Sequence, residues 1–419
     1  MLKTAPSIHR APPASMQLFL CLVALWDGFD LAALSQTLPD VRATFGMTIG
    51  QGGRLLALAS IGTVFGYFLL RKADSLGRRP VLLLSVLGYS LASLASGAAS
   101  SSSVFLAAQL VSRIFIVSAL STAALYAAED FPRERRAQTI SMLVAVAAFG
   151  GVICALLAPR MVGSRFGWRG LYYLGGSSVV LFVYGWFFLR ETRHFSALET
   201  RVVPSLTSIW RAGHGRRIFL CSLLWILTYG VNQSAVAFWK EHAVADLHIS
   251  QMVMGGYIAI AAFVSIPLAG IAGPVLDRIG RRRGSAIVYL LQAIGVIGSY
   301  LLPHGPMLRI SLILLVSGAS GALVIANTVT AESFPTEQRG NGMAWTNSLL
   351  GRIGFILSPF IVSAFAEKWG WARTVPWLAL LPLCSLALIW RMVQEDKHAA
   401  TEREGAKQTV LEQTQAARP

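Results

Sequence analysis

Residues 273–282 read GPVLDRIGRR, and a related string, ADSLGRR, occupies residues 73–79. The aspartates of the two strings stand 203 positions apart, since 277 − 74 = 203. The segment AEDFPRERR at 128–136 returns at the same distance as AESFPTEQR at 331–339, and the Gly-Trp pair at 167–168 returns at 370–371. Chance similarity would not keep one register across three loops. The chain is therefore predicted to consist of two parallel repeats.

The composition predicts a membrane protein. Hydrophobic residues make up 54% of the 419 positions, charged residues make up 13%, and the mean hydropathy is +0.58. A chain this apolar is not expected to be a water-soluble enzyme. A bilayer requires about 20 apolar residues per helix, and lipid requires that backbone polar groups be paired internally. Transmembrane helices are predicted at residues 16–38, 49–70, 80–98, 103–127, 139–161, 171–189, 218–239, 252–275, 285–302, 307–330, 342–365 and 375–391.

These twelve spans predict an all-α membrane protein with two pseudo-symmetric six-helix bundles, at residues 16–189 and 218–391. A cytoplasmic linker at 190–217 separates the bundles, a cytoplasmic N-terminus occupies 1–15, and a disordered cytoplasmic tail occupies 392–419. The net charge of +16 lies mostly in alternate short loops. That placement is typical of cytoplasmic loops in an inner or plasma membrane and argues against nucleic acid as a partner.

Two aspartates in the first span carry the strongest functional signal. Asp27 and Asp30 lie about halfway along it, and their spacing places both carboxyls on one helix face. A charge at this depth costs at least about 2.5 kcal/mol, so the pair is expected to face a wet cavity or a partner. Two carboxyls this close are expected to bind a proton readily, which predicts a proton-coupling site. The alternative is an ion pair with an arginine that only fixes helix packing.

The repeated loop resembles the signature of the major facilitator superfamily, most closely at 273–282, whereas Leu70 and Ser75 depart from it in the first half. The resemblance implies a transporter that acts as a single chain and whose loops hold one half against the other. Asp74 is expected to meet the eleventh span near Asn341 and Gly342, and Asp277 the fifth span near Gln138. The alternative is that these charges only set the topology. The gating set is Asp74, Arg78, Arg79, Glu129, Arg136, Asp277, Arg281, Arg282, Glu332 and Arg339.

The string WDGFD at 26–30 resembles the first-span motif of the aromatic acid:proton symporter family. The string GRIG at 351–354, followed by Pro359, adds to that resemblance, as does Arg113 in the fourth span. The resemblance implies proton-driven uptake of a small, often aromatic, carboxylate, with the first-span aspartates important for transport.

Arginine is suited to binding a carboxylate because its guanidinium offers a planar fork of donors. Arg352 and Arg113 are therefore candidates for substrate binding, although each could instead form a salt bridge, Arg113 with Asp27 or Asp30. On the seventh span, Tyr229, Asn232 and Gln233 are spaced to share one face, and Trp345 on the eleventh span belongs to a weaker polar and aromatic set. Such groups could orient a ring-bearing ligand, but aromatic residues in membrane spans more often pack against neighbouring helices.

No cofactor or metal is expected, and the proton gradient is the expected energy source. The chain has no phosphate-binding glycine loop, and its seven histidines, placed in termini and connecting segments, lack metal-ligand spacing. The predicted partners are a small organic anion, protons and the lipid bilayer. A proton-driven exporter on the same fold is the second hypothesis. A receptor that does not transport is the third, although such a protein would not be expected to retain two aspartates and two arginines inside its spans.

Overall fold

A computed structural model describes residues 14–196, 205–335 and 337–393. It confirms the twelve membrane helices predicted from the sequence. They are α1 Ala14–Phe45, α2 Ile49–Arg71, α3 Arg78–Gly97, α4 Ser102–Asp130, α5 Arg133–Val162, α6 Arg169–Phe188, α7 Gly215–Ala245, α8 Gln251–Ile279, α9 Arg281–Leu301, α10 Pro306–Ser333, α11 Arg339–Trp369 and α12 Trp371–Val393. The proposed tail beyond residue 393 and the N-terminus before residue 14 lie outside the described residues.

The two halves repeat one packing plan. In the first half α1 packs on α5, and α4 packs on α2 and α3; in the second half α7 packs on α11, and α10 packs on α8 and α9. The halves meet through two equivalent contacts, α2 with α11 and α5 with α8. This pairing is what the 203-residue repeat predicts, because equivalent helices take equivalent neighbours. We call the end that holds the start of α1 the linker side and the opposite end the far side.

Glycine sets the position of the helix that carries the two aspartates. A Cβ added at Gly28 would lie 2.9 Å from the Cα of Ala147 on α5 and closer still to its carbonyl group. A Cβ at Gly150 on α5 would lie 2.9 Å from the backbone nitrogen of Phe29. Backbones can approach this closely only where side chains are absent, as is usual in membrane helix packing. Gly28 therefore lets α1 press against α5 between the two aspartates.

Charged side chains join the two halves at the far side. Arg42 of α1 forms an ion pair with Glu241 of α7, and Lys240 donates to the carbonyl of Gln36 and lies 3.8 Å from the carboxylate of Asp40. The amide of Gln251 donates to Asp40 over 3.0 Å. Glu367 of α11 accepts a 2.9 Å hydrogen bond from the backbone of Gly50 at the start of α2. The halves are thus held closed at this end.

The same contacts correct the predicted ends of two helices. α1 extends to Phe45, beyond the predicted residue 38, and α7 extends to Ala245, beyond the predicted residue 239. Pro39 and the charged pair at 240–241 interrupt the apolar pattern on which the prediction relied. Those charges are compensated by the opposite half, so the helices can continue through them.

Two helices of the second half contain a π-helical turn near their middle. In α7 it spans Asn232–Val236. In α11 it spans Ala344–Leu350 and ends two residues before Arg352. Short π-helical insertions occur frequently at functional sites. A hydrogen bond of 2.6 Å from the Tyr229 hydroxyl to the Asn347 side chain links the two interrupted regions.

Substitution of Gly28 tests the close crossing of α1 and α5. Gly28→Ala is expected to lower the free energy of unfolding by about 1–3 kcal/mol, the usual cost of overpacking, because its methyl group would collide with the Ala147 backbone. The matched control is Gly256→Ala on α8, where an added Cβ meets nothing within 4 Å. Thermal unfolding in detergent should show a lower midpoint for Gly28→Ala only, and equal midpoints for the two variants would contradict the crossing.

Removal of one charge tests the far-side contact. Arg42→Ala leaves the buried carboxylate of Glu241 without its cation, a change that typically costs about 2–5 kcal/mol. We expect the far side to open, so that spin labels at the exposed positions Ala43 and Lys368 move apart in a double electron–electron resonance measurement. Arg160→Ala is the control, because this exposed arginine bonds only the Leu156 carbonyl of its own helix. An unchanged distance distribution in Arg42→Ala would show that the pair does not hold this end closed.

Candidate functional site

Asp30 is held inside the first half by two serine hydroxyls. Ser93 of α3 donates to one carboxylate oxygen over 2.6 Å, and Ser112 of α4 donates to the other over 2.8 Å. Gly175 of α6 completes the enclosure, because a Cβ there would lie 2.9 Å from the same carboxylate oxygen that Ser93 bonds. Asp30 is only 2% exposed. Four helices therefore meet around one carboxyl group whose two oxygens are both hydrogen-bonded.

Asp27 lies one turn earlier on α1 and has a different environment. It is also 2% exposed, but its Oδ1 atom has no hydrogen-bond partner within the described part of the chain. The hydroxyl of Tyr89 on α3 is likewise buried and forms no well-aligned hydrogen bond among the described residues, although Ser178 lies near it, and Tyr89 is within electrostatic range of Asp27. The predicted pair thus consists of one carboxyl with two donors and one whose Oδ1 has none.

Arg113 of α4 lies beside the two aspartates without forming a direct ion pair with either. Its guanidinium donates to the backbone carbonyl of Leu31 over 3.3 Å, and the residue is 3% exposed. It lies within electrostatic range of Asp27 and Asp30, and also of Arg352 in the other half. Arg113 is therefore close to both aspartates but forms a salt bridge with neither, and its role in substrate binding stays a prediction.

Arg352 of α11 is the second arginine of the site and lies among aromatic rings. Its guanidinium carbon stands 4.9 Å from the ring centre of Tyr229 and 5.2 Å from that of Phe355. Such cation–π contacts hold a guanidinium in place while leaving its in-plane donors free. Among the described residues, Arg352 has no ion pair, and its buried Nε atom lacks a hydrogen-bond partner. The alternative of a salt bridge therefore finds no support in this conformation.

The polar side chains of α7 link this region to its surroundings. Asn232 donates to the Ala319 carbonyl and accepts a 2.9 Å hydrogen bond from the Gln292 side chain of α9. Gln233 approaches the Ser60 hydroxyl of α2 at 3.5 Å, which places it at the boundary between the halves. Tyr229 lies under Arg352. The structure thus brings Tyr229 and Arg352 together, while Asn232 is engaged inside the second half.

Trp345 lies apart from this group. Its indole nitrogen donates to the Leu206 carbonyl of the linker over 2.9 Å, and its ring packs edge-on against Trp210 at 5.4 Å. It stands seven residues, or about two helical turns, before Arg352. These contacts give Trp345 a role in docking the linker on α11, and we do not include it in the proposed binding set.

The gating residues form matching ion pairs within each half. Arg78 lies 2.7 Å from Glu129, and Arg281 lies 2.6 Å from Glu332, which is the same pair 203 residues later. Asp74 lies 3.3 Å from Arg78, whereas Asn341, its expected partner on α11, donates to the linker at Ser205 and Ser208. These loops therefore secure the linker-side ends of their own bundles in this conformation. A latch between the halves stays a prediction.

The other gating residues bond nearby backbone groups or lie at the surface. Arg79 donates to the carbonyls of Leu189 and Trp186, Arg282 to that of Trp390, and Arg136 to that of Phe131. Arg339 is exposed at the start of α11. The side chain of Asp277 lies outside the described part of the structure, so its expected contact near Gln138 is not assessed.

The sequence reasoning missed two groups of residues. Ser93 and Ser112 have ordinary small side chains, and nothing in their spacing marks them as partners of Asp30. The far-side charges were assigned to loops and helix ends, yet Lys240 and Glu241 are both 3% exposed, and His242, expected in a connecting segment, is 1% exposed. Adjacent charges that interrupt the apolar run of α7, together with Asp40 and Arg42 at the end of α1, were the available signal.

The site therefore combines two carboxyl groups and an arginine in the first half with an arginine and aromatic rings in the second. The two arginines belong to different halves and lie within electrostatic range of one another, and the boundary between the halves is closed at the far side. Two cations in mutual range with few hydrogen bonds favour binding of an anion between them. Two adjacent buried carboxyls favour uptake and release of a proton.

The chain is similar to known transport proteins over most of its length. The profile described as Major Facilitator Superfamily matches residues 20–359 and, in a second overlapping match, 227–418. The chain is 26% identical to the cis,cis-muconate transport protein of Acinetobacter baylyi, over 84% of this chain and 87% of that protein. It is also 26% identical to the 4-hydroxybenzoate transporter of Pseudomonas aeruginosa, over 82% and 84% respectively.

A solved structure shows the same fold. The bacterial homologue of the human lysosomal transporter Spinster, in an inward-facing and occupied conformation, superposes with a TM-score of 0.77 at 15% identity, covering 91% of this chain and 97% of that one. The relatives are membrane transporters, which confirms the prediction of a transporter rather than an enzyme. Since the matched profile spans most of its length, the chain belongs to the Major Facilitator Superfamily.

Proposed function

We propose that this transporter is a proton-coupled symporter that imports a small organic anion, most favourably an aromatic or related carboxylate. The observation that carries the proposal is the state of Arg352. Its guanidinium lies over two rings, is within electrostatic range of Arg113 in the other half, and is bound by no carboxylate among the described residues. A half-buried guanidinium within a membrane span that has no anion of its own is a binding group for an external one.

The aromatic surroundings support a ring-bearing substrate. Tyr229 and Phe355 stand edge to face with centres 5.3 Å apart, next to the guanidinium. A flat aromatic acid could place its carboxylate on Arg352 and its ring against these side chains. The relatives named for 4-hydroxybenzoate and for cis,cis-muconate carry, by those names, an aromatic acid and an unsaturated dicarboxylic acid. Both substrates have a carboxylate beside a planar unsaturated carbon frame.

The aspartates support coupling to protons. Asp27 and Asp30 are buried one turn apart within electrostatic range of Arg113, so the charge state of the pair affects the same arginine that lies within range of Arg352. The positive charge of a proton taken up by the pair offsets the negative charge of an anion bound between the arginines. We propose that the carrier loaded with both, whose site is then nearly neutral, is the form that changes conformation.

Direction and orientation complete the proposal. Placing the basic loops and both termini in the cytoplasm makes the far side the external face of an inner membrane and gives a protein closed to the outside. Import then requires the ion pairs between α1 and α7 to open and close in each cycle. We propose that the protein acts as a monomer. Export of a drug-like compound or metabolite is the competing function, and the direction of gradient-driven transport distinguishes the two.

Substitution of Arg352 tests the anion site. Arg352→Ala is expected to weaken binding of 4-hydroxybenzoate roughly 10- to 100-fold, the loss typical when charge-assisted hydrogen bonds are removed. Arg352→Lys, which keeps the charge but loses the bidentate fork, should fall between. Affinity is measured by isothermal titration on purified protein, with Arg309→Ala as control, because that exposed arginine lies over the ring of Tyr257 at the far side. If a panel of carboxylates bound Arg352→Ala as well as the unmodified protein, the assignment of the site would be wrong.

Proton coupling is tested in proteoliposomes. With an inward proton gradient, the unmodified protein should accumulate labelled 4-hydroxybenzoate, and a protonophore should reduce uptake to equilibration. A double variant, Asp27→Asn with Asp30→Asn, should lose accumulation at least tenfold because neither amide binds a proton at neutral pH. Asp246→Asn, in an exposed far-side position, is the control and should accumulate normally. Accumulation that survives both the protonophore and the double substitution would exclude proton symport, and gradient-driven efflux would instead identify an exporter.

A further inference from the structure

The two aspartates of α1 have different hydrogen-bonding environments, and this difference divides their roles. We infer that Asp27 holds the transported proton, with Tyr89 as its positioning residue, and that Asp30 is a fixed anion that compensates the charge of Arg113. The inference rests on the proposed proton coupling and goes beyond it, because the sequence treats the two carboxyls as one pair. It is argued from the partners of each oxygen atom.

Asp30 has the partners of an ionised carboxylate. Each of its oxygens accepts a hydroxyl hydrogen bond, and the 2.6 Å separation from Ser93 falls in the range of charge-assisted O–H···O⁻ bonds. Arg113 supplies a positive charge within range. Two hydroxyl donors and a nearby guanidinium stabilise the anion in a place where water does not reach. Asp30 is thus equipped to remain charged throughout the cycle.

Asp27 has the surroundings of a neutral carboxyl. Its Oδ1 atom is buried and receives no hydrogen bond from the described residues. An ionised carboxylate left in this condition would pay most of its desolvation cost without compensation, which in practice causes the group to take up a proton. Asp30, one turn away, adds the repulsion of a like charge. In the conformation closed at the far side, the proton therefore belongs on Asp27.

Tyr89 provides a partner for the deprotonated form. Its hydroxyl is fully buried, lies near the Ser178 hydroxyl without a well-formed hydrogen bond to it, and is in electrostatic range of Asp27. The repeat offers a precedent: Gln292 stands 203 residues after Tyr89 (292 − 89 = 203) and donates to Asn232 on α7, the helix equivalent to α1. When a change of conformation lets water reach Asp27, its proton passes to that water, and the Tyr89 hydroxyl can turn to donate to the carboxylate. Tyr89 itself keeps its proton.

The other charged and titratable groups around the pair act on Asp30 or Arg113. From the helices packed against α1, Arg113 of α4 faces both carboxyls, while Tyr172 of α6 and Cys154 of α5 act on Asp30. Arg352, from the second half, acts on Arg113. Asp27 is thus left with Asp30, Arg113 and Tyr89 as the groups that set its protonation.

Infrared difference spectroscopy tests the assignment without any substrate. Purified protein in an ester-free maltoside detergent at neutral pH should show the C=O stretching band of a buried protonated carboxyl. Asp27→Asn should remove that band, Asp30→Asn should retain it, and Tyr89→Phe should shift it by altering its hydrogen bonding. Asp246→Asn is the matched control and should leave the spectrum unchanged. Circular dichroism and size-exclusion profiles establish that each variant is folded.

Three outcomes would overturn the assignment. The first is the absence of such a band from the unmodified protein. The second is its loss in Asp30→Asn but not in Asp27→Asn, which would give the proton to Asp30. The Ser93 hydroxyl, which also lies 3.1 Å from the Tyr172 carbonyl, could then turn to that acceptor. The third is equal loss in both variants, which would mean a shared proton.

A transport measurement separates this inference from the proposed function. In proteoliposomes, Asp27→Asn should keep counterflow exchange of labelled 4-hydroxybenzoate within about threefold of the unmodified protein and lose accumulation driven by a proton gradient. Asp30→Asn should lose both, because the buried charge of Arg113 is then no longer compensated. If the infrared result assigns the proton to Asp27 but the unmodified protein shows no gradient-driven transport, the symport proposal fails. If gradient-driven accumulation persists in Asp27→Asn, the role of Asp27 is refuted while symport stands.

Discussion

The cost of placing charge inside lipid governs the first half of this protein. Asp27, Asp30 and Arg113 lie midway along their helices, where each uncompensated charge would cost at least about 2.5 kcal/mol. The bundle compensates with hydroxyls from α3 and α4 and with glycines that let α5 and α6 approach α1 closely. The crossing at Gly28 and the enclosure of Asp30 are therefore two consequences of one requirement. Helix packing and site chemistry cannot be separated here.

The two halves share a scaffold and differ in chemistry. The ion pair between Arg78 and Glu129 recurs at the same offset in the second half, and equivalent helices pack on one another. At mid-depth the correspondence ends. Where α3 carries Tyr89 beside a carboxyl, α9 carries Gln292 bonded to an amide. The first half is thus suited to charge and protons, whereas the second, with its rings and π-helical turns, is suited to an organic ligand.

Repetition and hydropathy were enough to predict the number of helices, the two bundles and the aspartates at mid-span. Partners contributed by other helices were not predictable. Ser93 meets Asp30 only because α3 crosses α1 at that height, and nothing local to a serine reveals this crossing. The predicted end of α7 was wrong for a related reason. A prediction based on apolar residues ends the helix at a charged residue such as Lys240, because the compensating charges come from the other half. The contact of Trp345 with the linker was not predictable either, because an aromatic side chain on a span can equally well dock a linker or line a binding site.

The position of Arg113 explains how substrate and proton could be coupled without direct contact. It lies within range of both aspartates on one side and of Arg352 on the other. A carboxylate bound between the arginines offsets positive charge that otherwise opposes a proton on the pair, so anion binding favours protonation. Coupling of two binding equilibria is reciprocal, and protonation must favour anion binding to the same extent. A symporter requires that each of its two ligands strengthens binding of the other, whereas an exchanger requires that the two ligands compete. The proposed symport relies on the first condition, with Arg113 shared between the two proposed sites.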